Sequence, residues 1–196
     1  MIESWFFVIA MIAVLLIPGP TNALLASAAH QQGIVKTAYA VPAEWLGYIY
    51  GISLWAIFIH LGEPIWPALI PILHTISAMY VIWLAFNLWK SSHLERHSQQ
   101  YISIKPRQIF FASLKNPKAL LFAAGIFPPE TWESLYNTVH VFILFSLILL
   151  PVAFFWMCFG RALLAGNVRG VRAEHLYKGS ALLLVVCMLP VIFRFF

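Results

Sequence analysis

The sequence predicts an all-α integral membrane protein of six transmembrane helices, arranged as two inverted three-helix repeats with helices 1 and 4 broken. Three observations carry this expectation. Of the 196 residues, 62% are hydrophobic and 10% charged, with a mean hydropathy of +0.85, whereas soluble domains carry about 25% charged residues. The apolar residues gather into six stretches, each near the ~20 residues that cross a bilayer. Finally, prolines interrupt the first and fourth stretches at related positions.

The stretches run over 2–29, 38–61, 66–89, 108–128, 135–160 and 176–196. Residues 1–196 read as one transmembrane domain, with half-repeats of about 1–90 and 100–196. Residues Trp5 to Ile17 have the length of a signal-peptide core, and Ala26-Ser27-Ala28 mimics a cleavage site. The segment before them carries Glu3 and no lysine or arginine, so they are expected to stay as the first helix. The longest connection, Lys90 to Arg107, is polar.

Basic residues set the orientation of membrane helices, because they are retained on the cytoplasmic side. The first connection carries Lys36, the third Lys90, Arg96, Lys105 and Arg107, and the fifth Arg161, Arg169, Arg172 and Lys178. Lys115 and Lys118 lie just inside the fourth stretch. The even connections carry Glu63, Glu130 and Glu133. Of twelve basic residues, only Arg194 falls on that second side. Both termini are therefore expected outside, with Trp5, Trp66 and Trp132 at the outer interface. In this setting the +5 net charge is a loop property, and no nucleic-acid partner is expected.

An odd number of spans per half makes any repeat an inverted one, the arrangement in which many secondary transporters build a substrate site from broken helices. A trace of it is present: Pro20 to Ala28 resembles Asn116 to Ala124 at constant offset, sharing Ala-Leu-Leu. The first break, Ile17-Pro18-Gly19-Pro20-Thr21-Asn22, removes backbone donors in a solvent that cannot replace them. It is expected to be buried in protein or to face a water-filled cavity. The helix N-terminus that follows attracts an anionic group such as a carboxylate. A kink that only shapes packing is the competing reading. At the second break, Asn116-Pro117-Lys118, Lys115 is expected to reach the headgroups, while Asn116 and Lys118 stand opposite Pro20 and Asn22 in the repeat.

Glu44 is the acid placed well inside a stretch, and ionisable groups at such depth usually face the bundle interior or a water-filled path. Gly47 and Gly51 share its helical face and permit close helix approach. Glu44 is therefore a candidate to bind a cation or to take and release a proton. The competing reading is pairing with Lys36 or a loop arginine near the interface. At the repeat offset Glu44 corresponds to His140, so a Glu44–His140 proton relay is one hypothesis. The remaining histidines show no metal-ligand spacing, Cys158 and Cys187 read as small core residues, and no catalytic constellation is visible. No metal, cofactor or enzymatic activity is expected.

Three stretches together resemble the LysE/RhtB family of bacterial amino-acid exporters over nearly the whole chain. Pro18-Gly19-Pro20-Thr21-Asn22, followed by Gly33, is similar to the first-helix signature. Ala78-Met79-Tyr80-Val81-Ile82-Trp83-Leu84, closing on Trp89-Lys90, resembles the third helix, and Asn116 to Phe122, running on to Phe127-Pro128, the fourth. Pro42-Ala43-Glu44 with Gly47-Tyr48 looks like a subgroup whose first motif reads Pro-Gly-Pro-Thr-Asn. Ala85, where members often have glycine, and Lys36 depart from the pattern. The resemblance implies proton-driven export of amino acids or close derivatives across a bacterial inner membrane, often as a homo-oligomer. The substrate-binding residues are then expected at Pro18, Gly19, Pro20, Thr21, Asn22, Glu44, Asn116, Pro117 and Lys118. A metal-ion exporter on a related scaffold and a membrane assembly subunit are the rival functions.

Overall fold

The computed structural model describes residues 2–66, 68–69, 71–73, 75–76, 79, 83, 86 and 104–164. The expected sixth span and Cys187 lie outside the described residues, as do most of the third span and of its family stretch. All secondary structure among the described residues is helical. The elements are α1 (Ile2–Leu16), α2 (Pro20–Gln32), α3 (Ile34–Ala38), α4 (Val41–Gly62), α5 (Pro106–Leu114), α6 (Pro117–Leu121) and α7 (Leu135–Leu164). A π turn, Phe122–Ile126, continues α6, and a short 3-10 turn, Pro129–Trp132, precedes α7.

Both breaks form where the prolines require them. The pair Phe7–Leu16 and Pro20–Gln32 bends by 54°, and the pair Pro106–Leu114 and Pro117–Ile126 by 43°. Pro20 and Pro117 each open their helix, where a missing N–H costs no intrahelical bond. Gly33 ends α2 at φ 87°, a left-handed conformation that glycine adopts without steric cost. The chain then re-enters a helix and runs through Ile34–Gly62, one of two helices among the described residues that are long and apolar enough to cross a membrane. The other is Leu135–Ala162, and the number rises to four if each bent pair counts as one span.

The outward faces are apolar. On α4 they carry Leu46, Tyr50, Leu54, Ile57, Phe58 and Leu61, and on α7 Ile143, Leu147, Leu150 and Phe154. In water such surfaces would drive association, whereas in hydrocarbon they meet their natural solvent. The interior is packed by Met11, Ile17, Tyr48, Ile52, Ala119, Phe122, Phe145 and Leu149. Rings of Tyr48, Phe122 and Phe145 meet edge to face, with centroids 5.1–6.4 Å apart, the geometry that aromatic quadrupoles favour.

Small residues bring the helices together. A Cβ on Gly47 would stand 2.5 Å from the Phe110 carbonyl oxygen and 2.7 Å from Ser113 Cβ, so α4 lies directly on the α5 backbone. One turn on, a Cβ on Gly51 would stand 3.0 Å from Leu114 O and 3.1 Å from Ala119 Cβ. Gly160 of α7 meets the Ala26 backbone of α2 in the same way. Across the bundle, Trp45 Nε1 donates to Ser146 Oγ (2.7 Å), which donates to the Phe142 carbonyl (2.6 Å). These approaches carry the second break, at the start of α6, up to the first.

Gly47→Ala is expected to destabilise the purified protein by roughly 1–3 kcal/mol, the usual cost of overpacking. Gly125→Ala, where a Cβ would meet nothing within 4 Å, is the control expected to leave stability unchanged. Thermal midpoints in one detergent compare the two.

Candidate functional site

The end of α1 sets the first requirement of the site. Its last carbonyls have lost their intrahelical partners to the break, and in an apolar interior each must be satisfied by a side chain, water or ligand. Asn22, buried one turn into α2, reaches back with Nδ2 and donates to Leu15 O (2.9 Å) and Ile17 O (2.7 Å). The same Ile17 carbonyl accepts from Lys118 Nζ at 2.6 Å. Asn22 and Lys118, residues opposite one another at the repeat offset, thus converge on a single oxygen. Gly19 leaves room for the lysine, since a Cβ there would lie 3.2 Å from Lys118 Cε.

Asn116 joins the second break to its neighbours. Its Oδ1 accepts from the Lys118 backbone N–H (3.1 Å), capping α6. Its Nδ2 donates to Thr21 Oγ1 of α2 (3.1 Å) and to Tyr48 OH of α4 (2.9 Å). One side-chain amide therefore ties three helices, with both of its donors and its oxygen in use. Tyr48 stands four residues beyond Glu44 on the same face of α4. It is the site residue that the motifs did not single out as a contact, although its spacing from Glu44, Gly47 and Gly51 marks it as sharing their face.

Glu44, in the first turn of α4, is 1% exposed, and Lys118 is likewise 1% exposed. They are the two charged side chains among the buried described residues. They lie within Coulomb range of one another, yet Glu44 Oε2 is buried without a hydrogen-bond partner. A buried carboxylate oxygen in that condition is costly and needs an explanation.

The remaining expected residues take different places. Thr21 and Asn116 are buried, Pro18 and Gly19 are half-buried, and Pro20 is exposed. The prolines thus shape the break, while Thr21, Asn22, Asn116 and Lys118 make its polar contacts. Lys115 is exposed, in keeping with a lysine that reaches the headgroups. His140 is exposed on α7 and stacks on Tyr136, with ring centroids 6.3 Å apart; it is not gathered with Glu44 and Lys118.

Apolar helices, two of them broken and joined by buried polar groups, are those of an integral membrane helical protein. The chain belongs to the LysE type translocator family, whose profile matches residues 12–195. Among curated proteins it is similar to a leucine efflux protein of Enterobacter sp. (strain 638), with 25% identity over 164 residues covering 81% of this chain and 77% of the relative. No solved structure matches the chain.

Removing the Asn22 donor should leave the Leu15 carbonyl without its side-chain partner and the Ile17 carbonyl with Lys118 alone. Asn22→Ala is expected to cost about 1–3 kcal/mol, read as a lowered thermal midpoint. Asn22→Asp, which keeps the shape but cannot donate when ionised, should show a loss at least as large.

Proposed function

We propose that the protein is a secondary exporter of amino acids or close derivatives, driven by the proton gradient across a bacterial inner membrane. The observation that carries this reading is the meeting of the two breaks at Ile17 O, where Lys118 and Asn22 converge beside a buried, under-satisfied glutamate. Discontinuous helices around polar groups at one locus are how many secondary transporters hold a substrate. Membership of a translocator family supports transport, and the relative described as a leucine efflux protein supports an amino-acid cargo moving outward. Neither metal-ion export nor a pure assembly role draws support from these relatives.

In this reading six spans form two inverted repeats, with both termini on the outer side, as the lysine and arginine distribution favours. The substrate-binding residues are Pro18 to Asn22, Glu44 and Asn116 to Lys118, with the prolines shaping the gap and the polar side chains lining it. Glu44 takes the coupling proton: an acid that meets both a cationic group and a proton at one position couples them by competition, since protonation releases the cation. Support for this role is its burial and its unpartnered oxygen. A relay onward to His140 draws no support from the exposed position of that ring, and His140→Ala tests it directly, because unchanged export excludes the relay.

Cells overproducing the protein should resist toxic amino acids and analogues that vector-only cells do not. Glu44→Gln is expected to abolish gradient-driven export from loaded proteoliposomes while the variant still inserts and purifies as wild type. Undiminished export by that variant would remove Glu44 from the coupling mechanism.

A further inference from the structure

The described site buries one acidic and one basic side chain, and neither is fully satisfied. The Lys118 ammonium, which can donate more than once, makes its hydrogen bond among the described residues to Ile17 O. Glu44 Oε2 makes none. The two side chains lie within electrostatic reach of one another, yet Glu44 Oε2 takes no hydrogen bond from Lys118. Each is anchored on a different helix, and Asn116 stands beside the lysine with both donors committed to Thr21 and Tyr48. The capping bond from Asn116 Oδ1 has already taken the Lys118 backbone amide, while Nζ keeps donor capacity to spare.

We propose that Lys118 and Glu44 read the two main-chain charges of the substrate, and that the site thereby selects amino acids with uncharged side chains. This rests on the exporter reading and adds to it the partner of each charge and the class of cargo. The substrate carboxylate receives the Lys118 Nζ donors left over from Ile17 O. The substrate ammonium donates to Glu44 Oε2. A zwitterion bound this way leaves lysine, glutamate, carboxylate and ammonium summing to zero. Such balance matters in a medium where an uncompensated charge is costly. A third charge on the substrate would find no counterpart among the described residues, whose other buried polar side chains (Thr21, Asn22, Thr37, Ser113, Asn116 and Thr131) are neutral. The residues packed beside Asn116 are aromatic and buried: Tyr48 OH accepts from Asn116 Nδ2, and the Tyr48 ring meets Phe122 and Phe145. Parted by a ligand, these rings would favour an apolar side chain over a charged one.

The test is ligand-induced thermal stabilisation of the purified protein in nanodiscs, with a panel that varies one charge at a time. Leucine and methionine carry both main-chain charges and an uncharged side chain. Lysine adds a positive charge and glutamate a negative one, leucinamide lacks the carboxylate, and 4-methylpentanoate lacks the ammonium. Wild type is expected to bind leucine or methionine at least about tenfold more tightly than the other four, since each of these leaves a buried charge unpaired. Lys118→Met should bind leucine and leucinamide alike, and Glu44→Gln should bind leucine and 4-methylpentanoate alike. Lys118→Arg keeps the charge and should keep the preference for the free carboxylate.

Lysine or glutamate binding as tightly as leucine would overturn the selection. Lys118→Met retaining the full preference for leucine over its amide would overturn the assignment of the carboxylate. The wild-type panel needs no variant to fold, so the selection is decided even if Lys118→Met does not. If no amino acid of any charge class binds or is exported, the exporter reading fails with it. If amino acids bind in a different order of charge classes, this inference alone fails.

Discussion

A single backbone oxygen organises the site. Pro18 and Pro20 end α1 at Ile17, and the carbonyl left there has no water to turn to in a membrane interior. Asn22 meets it from the next turn of the same half, and Lys118 meets it from the other half of the chain. The lysine can do so because Gly19 has no side chain in its way and because Pro117 starts a helix at the right place. Gly47 and Gly51 matter for the same reason, since they let α4 lie on the α5 backbone and carry the second break to the first.

That arrangement has a consequence for motion. A broken helix is held in register by side-chain donors rather than by its own hydrogen-bond ladder, and such donors can be exchanged for a ligand or for one another. The α1–α2 junction depends on Asn22 and Lys118, and the α5–α6 junction on Asn116, whose three bonds reach α2, α4 and its own cap. On the proposed reading, a ligand held at this point would touch both breaks at once. The π turn after α6, closed by Phe127 N–H on Phe122 O at 2.9 Å, is a further local departure from α geometry, of the kind often found at functional sites.

The apolar exteriors of α4 and α7 and the buried polar knot divide the molecule by dielectric. Outside, large hydrophobic side chains satisfy the lipid without specific partners. Inside, Glu44 and Lys118 are the two ionisable side chains of opposite sign among the buried described residues, and each lies within electrostatic reach of the other. The Tyr48 ring stands at the boundary, aromatic towards Phe122 and Phe145 and hydroxylic towards Asn116.

The sequence by itself determined the solvent, the helical class and both breaks. Hydropathy and proline chemistry act locally, so runs such as 135–160 and the interruptions at Pro18–Pro20 and Pro117 can be read residue by residue. It also marked Glu44, Gly47 and Gly51 as one face, because helical spacing alone sets which residues share a side. Only the tertiary structure decided which polar groups meet. That Lys118 Nζ ends on the carbonyl of Ile17, 101 positions away, depends on the crossing of α4 over α5 and on a clear space at Gly19. Neither the helical period nor composition encodes such a contact. The same holds for Tyr48 as the partner of Asn116, and for His140, which the repeat offset paired with Glu44 but which stands exposed against Tyr136. Offsets along a chain relate positions in a pattern, whereas packing decides which of those positions share a space.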